Sequence, residues 1–252
     1  MSFDVAAEAY DEFMGRWSRP LAPQLAEFAG VRAGLRVLDV GCGPGALTAE
    51  LATRLGPAAV AAVDPSGSFV VAARACNPGV DVREASAEHL PFPDGTFDAA
   101  LAQLVVHFMV DPVAGLAEMA RVTRPGGVVA ACVWDFAGGH GPLGPFWFAA
   151  RELDADVEDE SRRAGTRAGH LAELFEAAGL RAVEPTALSV SRDYADFEAW
   201  WEPFTGTVGP AGSFLARLDV HQQVELRERC RSMLSAGPFI LTAQAWAARG
   251  VV

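Results

Sequence analysis

The residues best able to do chemistry lie in the first half of the chain. Asp39 precedes a glycine-rich stretch, Gly41-Cys-Gly-Pro-Gly-Ala46, and a second acid, Asp64, follows Gly45 by nineteen residues. Glycines at such spacing let the backbone take positive φ and let a ligand approach closely. An acid that far downstream is placed to take the hydroxyls of a ribose. The pattern therefore points to a nucleoside-bearing ligand. The turn satisfies both G-x-G-x-x-G/A and G-x-G-x-G, so its glycines alone do not separate a dinucleotide from an adenosine. Pro44 bears on that choice. A pyrophosphate cradle works through backbone N–H donors of the turn and helix start, and proline has none. Asp39 points the same way, because its carboxylate would repel phosphate and suits a cationic ligand.

These residues need a strand, a tight turn and a helix to position them. Val37 to Val40 is a β-type run, and Leu47, Leu51 and Leu55 beyond the turn are four apart, as on one helix face. The spacing predicts strands at 36–40, 59–63, 80–84, 97–104 and 128–134, with helices at 46–55 and 67–76. A further helix has Asp111 as N-cap and Pro112 as first residue. Strands alternating with helices mean a parallel sheet covered on both faces. After 135 the rhythm breaks into a Gly/Pro-rich, then acidic, insertion at 136–166. An amphipathic helix from 171 to 178 and a sixth strand at 180–190 follow. Pro185 costs that strand a ladder N–H, which puts it on the sheet edge. Residues 193–236 read as a second, helical insertion carrying Trp200 and Trp201, and 239–247 as the last strand. At the other end, residues 1–30 form a helical flap, with Tyr10, Phe13, Met14 and Trp17 on one face. Pro20 and Pro23 are expected to restart it as a second short helix. The expected division is flap 1–30, ligand-binding core 31–135, cap insertion 136–166, core helix and edge strand 167–192, cap insertion 193–236, and last core strand 237–252.

Composition narrows the partners. The chain has 252 residues and a formal charge of −12, and all twenty basic residues are Arg. An acidic chain is a poor polyanion binder, so neither nucleic acid nor an anionic membrane is expected. Cys42, Cys76, Cys132 and Cys230 show neither disulfide nor zinc spacing, and no metal is expected. There is no signal-peptide pattern and no long apolar run. The expectation is a cytoplasmic monomer or homodimer acting on a small molecule.

Four stretches in order carry a resemblance: Leu38-Asp-Val-Gly-Cys-Gly-Pro-Gly45, Val63-Asp-Pro-Ser66, Ala87-Glu-His-Leu-Pro-Phe-Pro-Asp-Gly-Thr-Phe-Asp98 and Glu118-Met-Ala-Arg-Val-Thr-Arg-Pro-Gly-Gly127. With these the chain resembles the class I S-adenosylmethionine-dependent methyltransferases, in particular the branch similar to quinone-biosynthesis methyltransferases. The resemblance covers about residues 30–135 strongly. It implies a doubly wound, seven-stranded, mostly parallel α/β sheet with helical cap insertions, and S-adenosylmethionine as cofactor. By position it implies that Gly41, Gly43 and Gly45 approach the cofactor, with Asp39 beside them. Asp64 would take both ribose hydroxyls. Pro65, Ser66 and Phe69 would border the adenine, and Ser86, Ala87 and Glu88 would meet its edge. Gln103 would lie under the methionine moiety. Ser86 departs from the family, where an Asp is frequent, and leaves an uncharged acceptor. Tyr10 and Arg16 of the flap could contact the methionine carboxylate.

A sulfonium methyl is already activated, so alignment and water exclusion can supply most of the acceleration. A base is needed only if the nucleophile must lose its proton early. His107, after the fourth strand, is the candidate; His140 is a weaker one, and His89 and His221 read as surface residues. Trp134, Phe136, Phe146, Trp147, Phe148, Trp200, Trp201 and Phe204 either pack the cap or line an apolar or planar acceptor pocket. The activity expected is methyl transfer to a small, largely apolar or planar molecule. The alternatives are an NAD-dependent oxidoreductase and a catalytically silent cofactor-binding module.

Overall fold

The computed structural model describes residues 11–154, 157, 159–206 and 209–252. Tyr10 lies outside the described residues. The strands are β1 (Val37–Val40), β2 (Val60–Asp64), β3 (Asp81–Glu84), β4 (Phe97–Gln103), β5 (Thr123–Trp134), β6 (Arg181–Tyr194) and β7 (Phe239–Val251). They form one seven-stranded sheet in the order β3-β2-β1-β4-β5-β7-β6. β1 to β5 pair in parallel, and β7 runs antiparallel to both β5 and β6. Only β7 is therefore reversed. The chain leaves β1 for β2 and β3 on one side and crosses back to β4 on the other. That reversal opens a crevice at the carboxyl ends of β1 and β4, where doubly wound sheets bind ligands.

The helices are α1 (Arg16–Phe28), α2 (Ala46–Leu55), α3 (Gly67–Cys76), α4 (Pro112–Val122), α5 (Gly144–Leu153), α6 (His170–Ala177), α7 (Phe197–Trp201), α8 (Gly209–Arg217) and α9 (Val220–Met233). Strand alternation divides the core. Val37, Ala99, Leu101, Ala130 and Cys132 face α1, α2 and the helices of the two insertions. Leu38, Ala100, Ala102, Val129 and Ala131 face α4 and α6. The caps follow the sequence: Asp111 accepts from the Ala114 N–H at 3.0 Å with Pro112 in the first turn. Asp219 and Gln222 form a reciprocal capping box on α9.

Two expectations are corrected. Pro20 and Pro23 do not restart the flap; both lie inside one helix, α1. Each removes an N–H that would have bonded the carbonyl four residues back, at about 3 kcal/mol in a helix interior. Burial of Trp17, Leu21, Ala22, Leu25 and Ala26 against the sheet offsets that loss. Strand six runs on to Tyr194 rather than ending at 190. Ser191, Arg192 and Asp193 look like a loop by composition, but the inward-facing positions Leu188, Val190 and Tyr194 are buried. Pro185 does lie on the edge strand, since β6 pairs only with β7.

The insertions are not separate bodies, for their aromatics share the core of the α1 face. Phe146 is fully buried and stacks on Phe204 with centroids 4.7 Å apart and planes 4° from parallel. Phe13 meets the same Phe204 edge-on at 5.4 Å, and Trp17 meets Trp134 at 6.4 Å. Phe146→Ala should cost about 3–5 kcal/mol, the range for emptying a buried aromatic site. Urea unfolding of the purified variant measures it, and a loss below 1 kcal/mol would show that the cap is not part of the cooperative core.

Candidate functional site

β1 ends in the glycine turn, which the N–H groups of Gly41 and Cys42 tie to the Val63 carbonyl of β2 at 2.8 and 2.9 Å. Gly41 and Gly43 both take positive φ, for different reasons. A Cβ on Gly41 would lie 2.2 Å from Val105 Cγ2, so packing against the loop after β4 forbids a side chain. A Cβ on Gly43 would meet nothing within 4 Å. Gly43 instead faces a cavity and donates its N–H to Asp64 Oδ2 at 2.8 Å.

That cavity, about 260 Å³, fills the crevice predicted from the topology. Of the residues singled out in the sequence, Asp39, Gly41, Gly43, Asp64, Pro65, Phe69, Ser86, Ala87, Glu88 and Gln103 all line it. Three are placed elsewhere. Gly45 precedes α2 and packs on α3, where its Cβ would meet the Asn77 amide at 2.4 Å. Ser66 caps α3 through the Phe69 N–H. Arg16 sits with Trp17, Tyr194 and Trp200 around a separate small cavity. The flap contributes Ser18 instead, whose carbonyl accepts from Gln103 Nε2 at 3.0 Å. No sequence signal marks a residue that acts through its backbone carbonyl.

The cavity has a consistent electrostatic character. Asp64 is buried, and its Oδ2 and Oδ1 accept from the Gly43 and Ser66 N–H groups, both at 2.8 Å. Burial raises its pKa, and those two backbone bonds oppose the rise. Asp39 is 1 % exposed. Its Oδ2 accepts from Thr48 Oγ1 at 2.6 Å, while Oδ1 has no partner among the described residues. Burial pushes the Asp39 pKa up to about 7, against the pull of the Thr48 bond and with the charge of Asp64 adding to it. Gln103 Oε1 is a second buried acceptor without a donor. Among the described residues, no Arg or His lines the cavity. Unsatisfied buried acceptors are costly, and an incoming ammonium or hydroxyl would satisfy them. The residues present fit a cationic adenosine-containing cofactor and disfavour a phosphate-bearing one.

The loop 85–95, whose Ser86, Ala87 and Glu88 wall one end of the cavity, is held by α4. Arg121 of α4 donates to the carbonyls of Leu90 and Phe92 and to Asp94, and Glu118 accepts from the Leu90 N–H at 3.1 Å. Glu88 Oε1 accepts from the Val110 N–H at 2.9 Å, joining this loop to the one after β4. Glu118 and Arg121 of the fourth sequence stretch thus build the site without lining it.

His107 is on a different wall. A smaller apolar cavity, about 40 Å³, adjoins the first and shares Leu104 and Phe108 with it. His107, Trp134, Phe136 and Glu160 line this second space. Leu104, between the two cavities, has φ of 61°. That conformation costs a non-glycine residue roughly 1–3 kcal/mol and tends to occur at functional sites. His107 is buried, and burial together with the Arg163 cation lowers its pKa to about 3. It is therefore neutral. Glu160, pushed up to about 7 by burial, lies 3.9 Å from His107 Nε2, beyond hydrogen-bond range. Glu160 was not foreseen because it lies in the acidic part of the 136–166 insertion, beside Arg162 and Arg163, where no spacing singles it out. Among the other aromatics, Trp134 and Phe136 line this space, whereas Phe146, Trp200, Trp201 and Phe204 are buried packing. Phe148 is 54 % exposed.

Comparison with known proteins identifies the family. Residues 38–131 match the family model described as a methyltransferase domain. A malonyl-[acyl-carrier protein] O-methyltransferase of Dechloromonas aromatica is 32 % identical over 201 residues, covering 78 % of this chain and 71 % of that protein. The enzyme of the same name from Erwinia billingiae is 36 % identical over 128 residues; there the match spans only 51 % of this chain and 50 % of the relative. Among solved structures, Haemonchus contortus phosphoethanolamine N-methyltransferase 2 in complex with S-adenosyl-L-methionine shares the fold, with a TM-score of 0.59 at 17 % identity, over 97 % of this chain and 56 % of that one. By its own fold and by the extent of the Dechloromonas match, the chain belongs to the class I S-adenosylmethionine-dependent methyltransferase family.

Proposed function

We propose that the larger cavity seats S-adenosylmethionine and that the chain passes its methyl group to a small, largely apolar or planar molecule. The observation that carries this reading is the pair of acceptors without a donor among the described residues, Asp39 Oδ1 and Gln103 Oε1, on residues of a cavity whose described lining includes three acids and no basic side chain. Asp64, its two oxygens already oriented by the Gly43 and Ser66 N–H groups, would hold the ribose hydroxyls. Asp39 and Gln103 would receive the α-ammonium. Pro65 and Phe69 would cover the adenine, and Ser86, Ala87 and Glu88 would meet its edge. When bound, the cofactor supplies a methyl carbon activated by the adjoining sulfonium. The residues of this chain orient, desolvate and exclude water.

A small apolar acceptor suits the second cavity and its walls of Phe13, Leu104, Phe108, Trp134, Phe136 and Leu143. The relatives named malonyl-[acyl-carrier protein] O-methyltransferase suggest a malonyl group as acceptor. Glu160 on this wall, with no Arg among the lining residues, argues for an uncharged one. No helix among the described residues is long and apolar enough to cross a membrane, and the formal charge of −12 disfavours nucleic acid.

Isothermal calorimetry should give micromolar-range binding of S-adenosylhomocysteine. No heat at millimolar ligand, or tighter binding of NADH, would contradict the proposal. Asp64→Ala removes hydrogen bonds to a charged acceptor worth about 1.5–3 kcal/mol each. Affinity should fall by at least about tenfold, and an unchanged value would refute the ribose role.

Affinity should also depend on pH. Asp39 is half-protonated near 7 in the free protein. A bound ammonium favours its ionised form, so binding takes up the carboxylate and releases a proton. S-adenosylhomocysteine affinity should therefore fall below pH 7, toward about tenfold per unit for one linked proton. Asp39→Asn should flatten this profile between pH 5.5 and 7.5, and the same slope in both proteins would exclude Asp39 as its source.

A further inference from the structure

The loop that leaves β5 holds one histidine in place. Asp135 is 2 % exposed, and that loop takes both its oxygens: Oδ1 accepts the Gly138 N–H at 2.8 Å, and Oδ2 is bonded to His140 Nδ1 at 2.7 Å. The Asp135 carbonyl accepts the N–H groups of His140 and Gly141 at 3.0 and 3.1 Å, and the His140 carbonyl accepts the Gln244 N–H of β7 at 2.8 Å. The imidazole is thus fixed through its main chain and through Nδ1, yet its side chain is 68 % exposed. The bond at Nδ1 leaves Nε2 as the ring atom for a ligand. His140 lines a groove of about 530 Å³ between this loop, α5, the end of α9 and the start of β7. Trp147, Phe148, Met233 and Leu241 give the groove apolar walls. Phe148 and Met233 are both exposed, and large apolar side chains left in water around one concavity mark a ligand surface. The groove shares no described lining residue with the proposed cofactor cavity.

The charge of the groove runs against that of the chain. Acids outnumber basic residues 32 to 20 in the sequence. Among the described residues, His140 and Arg151 line the groove and no Asp or Glu does. The carboxylates that hold these two side chains are already engaged. Asp159 Oδ2 accepts from Arg151 Nε and Nη2, both at 2.5 Å, and Oδ1 accepts the Ser161 N–H at 2.8 Å. Each oxygen of Asp135 and Asp159 therefore has a protein partner. We infer that the groove binds a small amphipathic monocarboxylate, with its carboxylate at His140 Nε2 and its alkyl or aryl body against Phe148, Met233 and Leu241. The doubly protonated ring donates from both nitrogens, to Asp135 on one side and to the ligand on the other, and such charge-assisted bonds are the strong ones. Arg151, held by Asp159, adds a second positive charge to the same wall. A phosphate would bring a second negative charge to cations that each have a carboxylate partner already, so a monoanion fits better. An ammonium would meet only cationic side chains, and an alcohol would forgo the ion pair. The inference stands apart from the cofactor reading.

The test titrates octanoate, octanol, octylamine and acetate into the full chain by calorimetry and follows the side-chain ¹⁵N resonances of His140. Octanoate should bind at least about tenfold more tightly than octanol or octylamine, the ratio that one charge-assisted hydrogen bond supports. It should exceed acetate by at least about tenfold as well, because acetate lacks the apolar body. It should shift the His140 resonances, and its affinity should be the same with and without S-adenosylhomocysteine. His140→Gln, whose amide can still donate to Asp135, should bring octanoate down to the affinity of octanol. Phe148→Ser should weaken octanoate and octanol alike and keep their ratio. Phe148 is exposed, so this second variant holds the test open if the loop around Asp135 fails to fold in the first. No binding of octanoate, octanol or octylamine binding as tightly, unmoved His140 resonances, a preference that survives His140→Gln, or displacement of octanoate by S-adenosylhomocysteine would overturn the inference.

Discussion

One carboxylate holds the candidate site in register. Asp64 ends β2, and its two oxygens accept the N–H groups of Gly43 and Ser66. The first belongs to the turn after β1, the second to the start of α3. Two crossover connections that the sheet only brings near each other are thereby fixed relative to one another. Charge-assisted bonds to a carboxylate are about twice as strong as neutral ones, and this one is buried where water competes little. The same oxygens keep lone pairs for a ligand. The group that builds the site is therefore the group proposed to hold the ribose, so the loops are ordered before a ligand arrives. Asp39 behaves differently. Only one of its oxygens is satisfied by the protein, which leaves it poorly solvated until a cation comes.

The second organising constraint is the shared apolar core. α1, α2 and the helices of both insertions bury aromatics against the same sheet face. The cap over the smaller cavity is thus continuous with the domain core. Its position is set by contacts such as Phe146 on Phe204 and Phe13 on Phe204. That continuity explains how a space of only about 40 Å³ can persist beside the larger cavity. Its walls are braced by packing on their far sides.

Much of the parallel half was legible because its signals are local. The N-cap at Asp111 and the end of β2 at Asp64 depend on neighbours within a few residues, and helices α2 and α3 fall where their apolar spacing puts them. The fold class followed from strand–helix alternation. The candidate site residues followed from the glycine turn and the resemblance, and ten of them, three on β1, β2 and β4 and seven on the segments after β1, β2 and β3, line one cavity. What was not legible depends on tertiary contacts. The prolines of α1 are tolerated because a buried face outweighs them. The end of β6 is strand because β7 pairs with it through Tyr194. Arg16 was assigned a ligand and instead packs with Tyr194, while Ser18, one helical half-turn further on, meets the cavity through its carbonyl. Glu160 was hidden in an acidic stretch, and its burial depends on tertiary packing that no local signal shows.

The central claim is that donorless acceptors in the larger cavity await a cationic adenosine cofactor. A crystal structure of the complex with S-adenosylhomocysteine tests it most directly. The account predicts both ribose hydroxyls on Asp64 and the amino group within hydrogen-bond distance of Asp39 Oδ1 and Gln103 Oε1. A ligand bound outside this cavity, or one bound within it that leaves those two acceptors unpartnered, would contradict it.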